Sequence, residues 1–134
     1  MAAQHEDSGD PAAWIATACT DLDVARAVLR AMGEQGLHVC CYHAQQCVEK
    51  ALKAWLIARK QPYPLTHDLR LLLDRCERAG GGWVERARPA ERLVSLAATG
   101  RYPSSIRHVS RKETDEAISI ADSVLNLIQS DLGN

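Results

Sequence analysis

The sequence contains 134 residues, of which 46% are hydrophobic and 25% charged, and its formal net charge is −1. This composition excludes a disordered chain, and the small net charge excludes a uniformly basic nucleic-acid-binding protein. The longest apolar run covers only residues 54–58, whereas a membrane-spanning helix needs about 20 residues. We therefore expect a soluble, cytoplasmic protein that does not enter a membrane, folded as one domain over residues 1–134 with a flexible N-terminus at 1–9.

Apolar residues recur every three or four positions along most of the chain, and this spacing predicts amphipathic helices rather than strands. The first helix is predicted to begin at Pro11, with Asp10 as its N-cap, and to end at Gly33. The second is predicted to begin after Gly36 and to end before Pro62, because proline disfavours a helical conformation in the residue that precedes it.

Three further helices are predicted in the C-terminal half. The third begins at Thr66 as its N-cap and ends at the glycines 80–82, and a shorter fourth covers about 89–99. The last begins at Ser110, where Glu113 completes a capping box. Five amphipathic helices with short connections predict an all-α fold, an antiparallel up-down bundle of four or five helices.

The second helix carries most of the polar side chains that need an explanation. His43, Gln45 and Gln46 lie in its middle, where packing or hydrogen bonding between helices is expected. Glu49 and Lys53 are four residues apart, in the order that favours an ion pair, and are predicted to form a solvated surface pair.

Five cysteines lie within the predicted helices, and with no secretory signal we expect reduced, buried thiols. Cys40, His43 and Cys47 share one helical face, but residues seven apart lie roughly 10 Å apart along a helix, too far for one tetrahedral zinc ion. No metal site and no cofactor is predicted.

Positive charge is segregated along the sequence. Residues 50–67 contain four Lys or Arg and no carboxylate, and residues 92–112 contain five and again no carboxylate. If successive helices alternate in direction, both stretches meet at one end of the bundle, beside two helix N-termini that favour anions. We predict a nucleotide- or phosphate-binding site there, and the alternative is that these are solvated charges on ordinary loops. The residues assigned to it are Lys60, Thr66, His67 and Arg107.

Three segments carry a resemblance to a known family. Residues 42–54 read Tyr-His-Ala-Gln-Gln-Cys-Val-Glu-Lys-Ala-Leu-Lys-Ala, and Thr-His-Asp-Leu at 66–69 and Arg-Tyr-Pro at 101–103 follow. In this order and spacing the chain closely resembles the bacterial HEPN domain family over roughly residues 15–130. The resemblance implies an up-down helical bundle that often forms a homodimer. It also implies a pairing with a minimal nucleotidyltransferase as a toxin–antitoxin couple.

Many members of that family are metal-independent ribonucleases with an Arg-x4-6-His motif. The resemblance therefore implies catalytic roles for Arg101 and His108, which are separated by six residues. In that chemistry the histidine relays the proton of the RNA 2′-hydroxyl and the arginine stabilises charge developing on phosphorus. Ser110 stands where some toxin relatives have a tyrosine that is modified with a nucleotide. A structural or simple phosphate-contacting role for the pair is the alternative.

We therefore predict the toxin-like partner of a minimal nucleotidyltransferase, a homodimer that cleaves RNA without a metal. One alternative is a non-catalytic nucleotide- or phosphate-binding module that uses the same cations. The other is a structural protein whose role is dimerisation or interaction with a partner.

Overall fold

The structure is a computed structural model, which describes residues 9–98 and 108–133. Two of the predicted site residues, Arg101 and Arg107, lie outside the described residues. The predicted flexible N-terminus, apart from Gly9, lies outside them as well.

Within these ranges the chain forms α-helices and two 3₁₀ segments, with no strand, which confirms the all-α fold. The elements in chain order are α1 (Pro11–Met32), a 3₁₀ turn (Gly33–Gly36), α2 (Leu37–Ala58), α3 (Leu69–Arg78), α4 (Val84–Ala87), a 3₁₀ segment (Arg88–Arg92), α5 (Leu93–Ala98) and α6 (Arg111–Gly133). The predicted fourth helix is thus a 3₁₀ segment that contains Pro89, followed by α5, and α4 lies before it where no helix was predicted.

The two sharpest helix starts predicted from the sequence are confirmed. Asp10 caps α1, since its side chain accepts a hydrogen bond from the amide of Ala12 at 3.0 Å. At the start of α6 the capping box is complete, because Ser110 Oγ accepts from the Glu113 amide at 3.0 Å and Glu113 Oε1 accepts from the Ser110 amide at 3.0 Å.

Helix α2 is the centre of the molecule and contacts α1, α3, α5 and α6. Along its length Val48, Leu52 and Trp55 are 0% exposed. An apolar helix surface on nearly all sides is typical of a helix that other elements surround. The residue of α2 that each neighbouring element contacts therefore shows at which end of the bundle that element lies.

Two contacts give the direction of α6 relative to α2. Near the start of each helix, Cys41 Sγ lies 3.7 Å from Thr114 Oγ1. Near the end of each helix, the indole Nε1 of Trp55 donates to Asp131 Oδ2 at 2.7 Å. The two helices are therefore parallel, and α1, joined to α2 by a single 3₁₀ turn, is antiparallel to both.

The segment from α4 to α5 supplies the fourth arm of the bundle. It begins beside the end of α2, where the rings of Trp83 and Trp55 lie 5.4 Å apart, edge to face. At Arg92 the segment lies near the start of α6, where Arg92 forms an ion pair with Glu116 at 3.4 Å. The four arms, α1, α2, α4–α5 and α6, thus alternate in direction, as an up-down bundle requires.

Helix α3 does not take part in this alternation, so the predicted meeting of the two basic stretches at one end is wrong. After α2 the chain runs back along that helix, so that His67 Nδ1 lies 2.8 Å from Glu49 Oε1. Helix α3 then runs in the same direction as α2, with Cys76 Sγ 3.9 Å from the carbonyl oxygen of Leu52. The loop after α2, and not α3, thus carries the chain back along α2, and α3 ends near the end of α2. The α4–α5 segment then crosses the bundle, so α6 begins at the end opposite to Lys60.

The predicted N-cap of α3 is also wrong by two residues. Asp68 has an extended backbone (φ −79°, ψ 100°), and its Oδ1 accepts from the amides of Arg70 and Leu71 at 3.0 and 3.3 Å. Thr66 Oγ1 instead accepts from the amide of Asp68 at 3.0 Å, one turn before the helix. Both residue types suit an N-cap, and the extended backbone of Asp68 places the start of α3 at Leu69.

Helix α2 ends in a Schellman motif that lacks its usual glycine. The amide of Gln61 donates to the carbonyl of Leu56 and that of Lys60 to the carbonyl of Ile57, both at 2.9 Å. Lys60 occupies the left-handed position with φ 57°. A side chain is disfavoured in this conformation, which is why glycine is the residue most often found there.

We therefore expect Lys60→Gly to raise the free energy of unfolding by about 0.5–1 kcal/mol, since glycine adopts this conformation without strain. Urea denaturation of the two proteins measures the difference. Arg59→Gly is the matched control, and it should destabilise, because Arg59 has φ −88° and its guanidinium stacks on Trp55. A lower unfolding free energy for Lys60→Gly would contradict the prediction.

Candidate functional site

His108 lies at the end of the bundle where α6 begins. Its side chain is exposed, whereas the next residue, Val109, is buried with 8% exposure. Ser110 caps α6, and Thr114 in the first turn is fully buried beside Cys41. The histidine thus lies at the surface, while the residues that follow it are fixed by the burial of Val109 and by the capping hydrogen bonds of Ser110.

The surroundings of His108 favour a negatively charged ligand. The N-terminus of α6 carries a partial positive charge, and Arg111 and Lys112 stand in its first turn. The Glu113 carboxylate is turned back onto the amide of Ser110. Arg111 Nε also forms a 3.3 Å ion pair with Asp115, so part of this positive charge is neutralised.

Of the other predicted phosphate-binding residues, the three within the described ranges are not close to His108. Lys60 is exposed at the opposite end of α2. Thr66 and His67 lie between the two ends, on the loop that returns along α2. By its rise per residue, the helix spans about 22 Å between Cys41, level with the start of α6, and Leu56, near Lys60. The described residues therefore do not form the single site that the charge pattern predicted.

The Glu49–Lys53 pair is buried, and its prediction as a solvated surface pair is wrong. Their side chains are only 5% and 8% exposed, and Lys53 Nζ donates to Glu49 Oε2 at 2.8 Å. The other carboxylate oxygen accepts from Gln45 Nε2 at 3.2 Å and lies 2.8 Å from His67 Nδ1. The pair is covered because the loop after α2 folds back over this side of the helix.

The same loop covers Lys53 with aromatic rings. Lys53 Nζ lies 5.9 Å from the ring centre of Trp14 on α1 and 5.7 Å from that of Tyr63 on the loop. The two rings are themselves 5.7 Å apart, edge to face. Cation–π attraction of this kind is stronger where the cation is shielded from water. The lysine therefore links α1, α2 and the returning loop.

A second buried carboxylate joins α1 to α2. Asp21 is 7% exposed, and its two oxygens lie 2.8 Å from His43 Nδ1 and 2.7 Å from Lys50 Nζ. Hydrogen bonding of His43 between helices is thereby confirmed. The sequence pattern did not single out Asp21, because one carboxylate among the apolar positions of α1 looks like any solvated charge.

Gln45 and Gln46 extend the cluster around Glu49 along α2. Gln46 Nε2 donates to Gln45 Oε1 at 3.3 Å, and Gln45 in turn bonds to Glu49. In both clusters the histidine approaches a carboxylate through Nδ1, which leaves Nε2 away from that bond. The polar residues of the Tyr-His-Ala-Gln-Gln segment and of Thr-His-Asp-Leu thus tie α1 and the returning loop to α2.

The cysteines provide no reactive thiolate in the core. All five are free, four of them buried and Cys19 partly exposed. Burial raises the pKa of Cys47 and of Cys76 to about 12, and nearby Asp21 raises that of Cys47 further. Burial also raises the pKa of Cys40 and Cys41. Among the described residues, no group of three His, Cys, Asp or Glu side chains is arranged to hold a metal ion.

These features define a small all-α bundle whose polar signature lies on its central helix. The sequence model of the HEPN domain matches residues 12–131, and the chain belongs to the HEPN domain family. Searches of curated proteins and of solved structures gave no match. In the described ranges, none of the helices has the length and apolarity required to cross a bilayer.

Proposed function

We propose that this HEPN domain is a metal-independent endoribonuclease that uses Arg101 and His108. The observation that carries the proposal is the position of His108, exposed on an anchored segment beside the N-terminus of α6. It follows Arg101 at the spacing of the Arg-x4-6-His motif, and both residues lie within the matched range 12–131.

In the proposed reaction the His108 imidazole accepts the proton of an RNA 2′-hydroxyl. The resulting oxygen attacks the adjacent phosphorus, the bond from phosphorus to the 5′-oxygen breaks, and that oxygen takes a proton from water and leaves as a hydroxyl. The protonated imidazole then returns its proton to the solvent. The products are a 2′,3′-cyclic phosphate and a free 5′-hydroxyl. Arg101 offsets the negative charge that develops on the phosphoryl oxygens, a role suited to a planar cation with several donors.

In the cell we propose that the protein is a cytoplasmic homodimer and the toxin-like partner of a minimal nucleotidyltransferase. Membership of the HEPN family supports this role. Sedimentation of the purified protein, alone and with the product of a neighbouring nucleotidyltransferase gene, tests both parts.

Incubation of RNA with the purified protein in the presence of EDTA tests the enzymatic activity. We expect cleavage that leaves 2′,3′-cyclic phosphate ends, and we expect His108→Ala to lower the rate by 10²- to 10⁴-fold, the usual contribution of a general acid–base group. His38→Ala, which removes an exposed histidine of α2, is the matched control and should cleave like the parent. Absence of cleavage by the parent would overturn the proposal.

A non-catalytic nucleotide- or phosphate-binding module is the second candidate, because cations are also gathered at the opposite end of the bundle. Arg75 and Arg78 line a cleft there, beside the loop that follows Lys60. RNA binding by the parent that persists in His108→Ala, without cleavage by either protein, would favour this function.

A further inference from the structure

A cleft lies at the end of the bundle where α2 and α3 both terminate, remote from His108. Its volume is about 220 Å³. Side chains from the end of α2, from the start of the returning loop and from the last turn of α3 surround it. The lining residues are Leu56, Gln61, Pro62, Arg75, Arg78 and Ala79.

In the part of the chain that the structure describes, the cations at this end of the bundle form no ion pair. Within the described residues, no carboxylate oxygen lies within 4.0 Å of the side-chain nitrogens of Arg59, Lys60, Arg75 or Arg78. Three of the four side chains are exposed, and Arg75 is half-buried. Their positive charge is therefore directed to solvent rather than cancelled by internal ion pairs.

The acidic residues of α3 are neutralised elsewhere. Arg88 binds Asp74 at 2.8 Å and Glu77 at 3.0 Å, and it also pairs with Glu85 and Glu91. Burial lowers the pKa of Arg88, but hydrogen bonds with Asp74 and Glu91 and the charge of Glu77 outweigh this effect and raise it. Because Arg88 pairs with both acidic residues of α3, these carboxylates do not neutralise Arg75 and Arg78 at the cleft.

An acidic group near the end of α6 is also engaged. Asp131 accepts a hydrogen bond from the Trp55 indole at 2.7 Å. The Arg59 guanidinium lies 4.8 Å from the centre of the same ring. Trp55 thus contacts both a carboxylate of α6 and a cation of the basic end of the bundle.

We propose that this basic cleft, with the adjacent Arg59 and Lys60, binds backbone phosphates of the RNA strand that is cleaved at His108. The inference rests on the proposed ribonuclease function. Arginine in particular suits phosphate, because its planar fork can donate two hydrogen bonds to one phosphate group.

The size and lining of the cleft favour a polynucleotide over a free nucleotide. A pocket that encloses a small organic ligand usually has a volume of about 300–1,000 Å³, and this cleft is smaller. Its lining contains no aromatic residue on which a base stacks. It therefore accommodates a phosphate group, while the cations around it extend the contact along a strand.

The separation of the two ends sets a length for the substrate. The roughly 22 Å between them along α2 corresponds to about six or seven nucleotides of stacked strand, at 3.4 Å each. An RNA of ten or more nucleotides therefore reaches both His108 and the cleft, whereas a tetranucleotide reaches only one of them.

Binding of an uncleavable RNA tests the proposal independently of cleavage. The probe is a labelled 2′-O-methyl RNA of 12 nucleotides, which lacks the attacking hydroxyl, and fluorescence anisotropy measures its Kd over a series of salt concentrations. For Arg75→Gln and Arg78→Gln we each expect a weaker affinity and a salt dependence of log K reduced by about 0.7, the value for one phosphate contact on a single strand.

Arg26→Gln, which removes a partly exposed arginine of α1 that is already paired with Asp122 of α6, is the matched control and should keep the parent slope. An equal loss of RNA affinity in all three variants would overturn the proposal. ATP binding as tight as RNA binding would overturn it as well. If the parent does not cleave RNA but Arg75→Gln and Arg78→Gln weaken RNA binding, only the proposed ribonuclease activity is refuted. If Arg75→Gln and Arg78→Gln bind RNA like the parent, only the proposed role of the cleft is refuted.

Discussion

Lys53→Met is expected to lower the free energy of unfolding by about 3 kcal/mol, because it leaves the Glu49 carboxylate buried without its charged partner. Glu49 is 4% exposed, so water cannot replace the lost ammonium group. The effect should lie at the lower end of the range for broken buried pairs, since Gln45 and His67 still hold one carboxylate oxygen. Urea denaturation at neutral pH measures the change.

The double variant Glu49→Leu, Lys53→Met separates this cause from a simple loss of packing. With both charges removed no ion remains to be desolvated, and we expect the double variant to be more stable than the Lys53→Met single variant. If the loss of unfolding free energy in the double variant equals the sum of the losses in the two single variants, the two side chains do not interact. His67→Ala should cost less than Lys53→Met, because the His67 side chain is 78% exposed.

Trp55→Ala is expected to cost about 3–5 kcal/mol, the usual cost of removing a large aromatic side chain from a core. The Trp55 side chain is fully buried, packs edge to face on Trp83 and donates to Asp131. Since the stability of a domain is typically about 5–15 kcal/mol, this one change removes a large part of it. The midpoint of thermal unfolding, followed by circular dichroism, reports the loss.

Trp55→Phe and Asp131→Asn serve as graded controls for this prediction. The first keeps a buried ring but removes the indole donor, and the second keeps an acceptor oxygen for the indole while removing the charge. Both should cost less than Trp55→Ala, because the apolar area buried by the ring is the larger contribution. An alanine variant as stable as either control would contradict the role of Trp55 as the core residue that joins α2, α4 and α6.

Helix starts and helical spacing could be predicted because they depend on neighbours in the sequence. Asp10 before Pro11 and the pair Ser110 and Glu113 act within four residues, and the structure shows the hydrogen bonds they predict. The resemblance carried by residues 42–54 is likewise local, and membership of the family it indicates is confirmed by the match over 12–131.

The path of the chain after α2 could not be predicted in the same way. Two prolines in the loop indicate an extended segment, but they do not say whether it continues onward or turns back along the helix. Its return depends on contacts with distant partners, such as His67 with Glu49 and Tyr63 with Trp14. These contacts decide that Glu49 and Lys53 are buried and that α3 runs parallel to α2.

The amino-acid sequence by itself thus determined the helices, the caps of α1 and α6 and the family, because periodicity and capping are properties of adjacent residues. Only the tertiary structure decided which end of the bundle each charge occupies, because that depends on loop direction and on pairing across the core. The buried network around Glu49, the separation of His108 from Lys60 and the basic cleft beside Arg75 and Arg78 all follow from that one reversal of the chain.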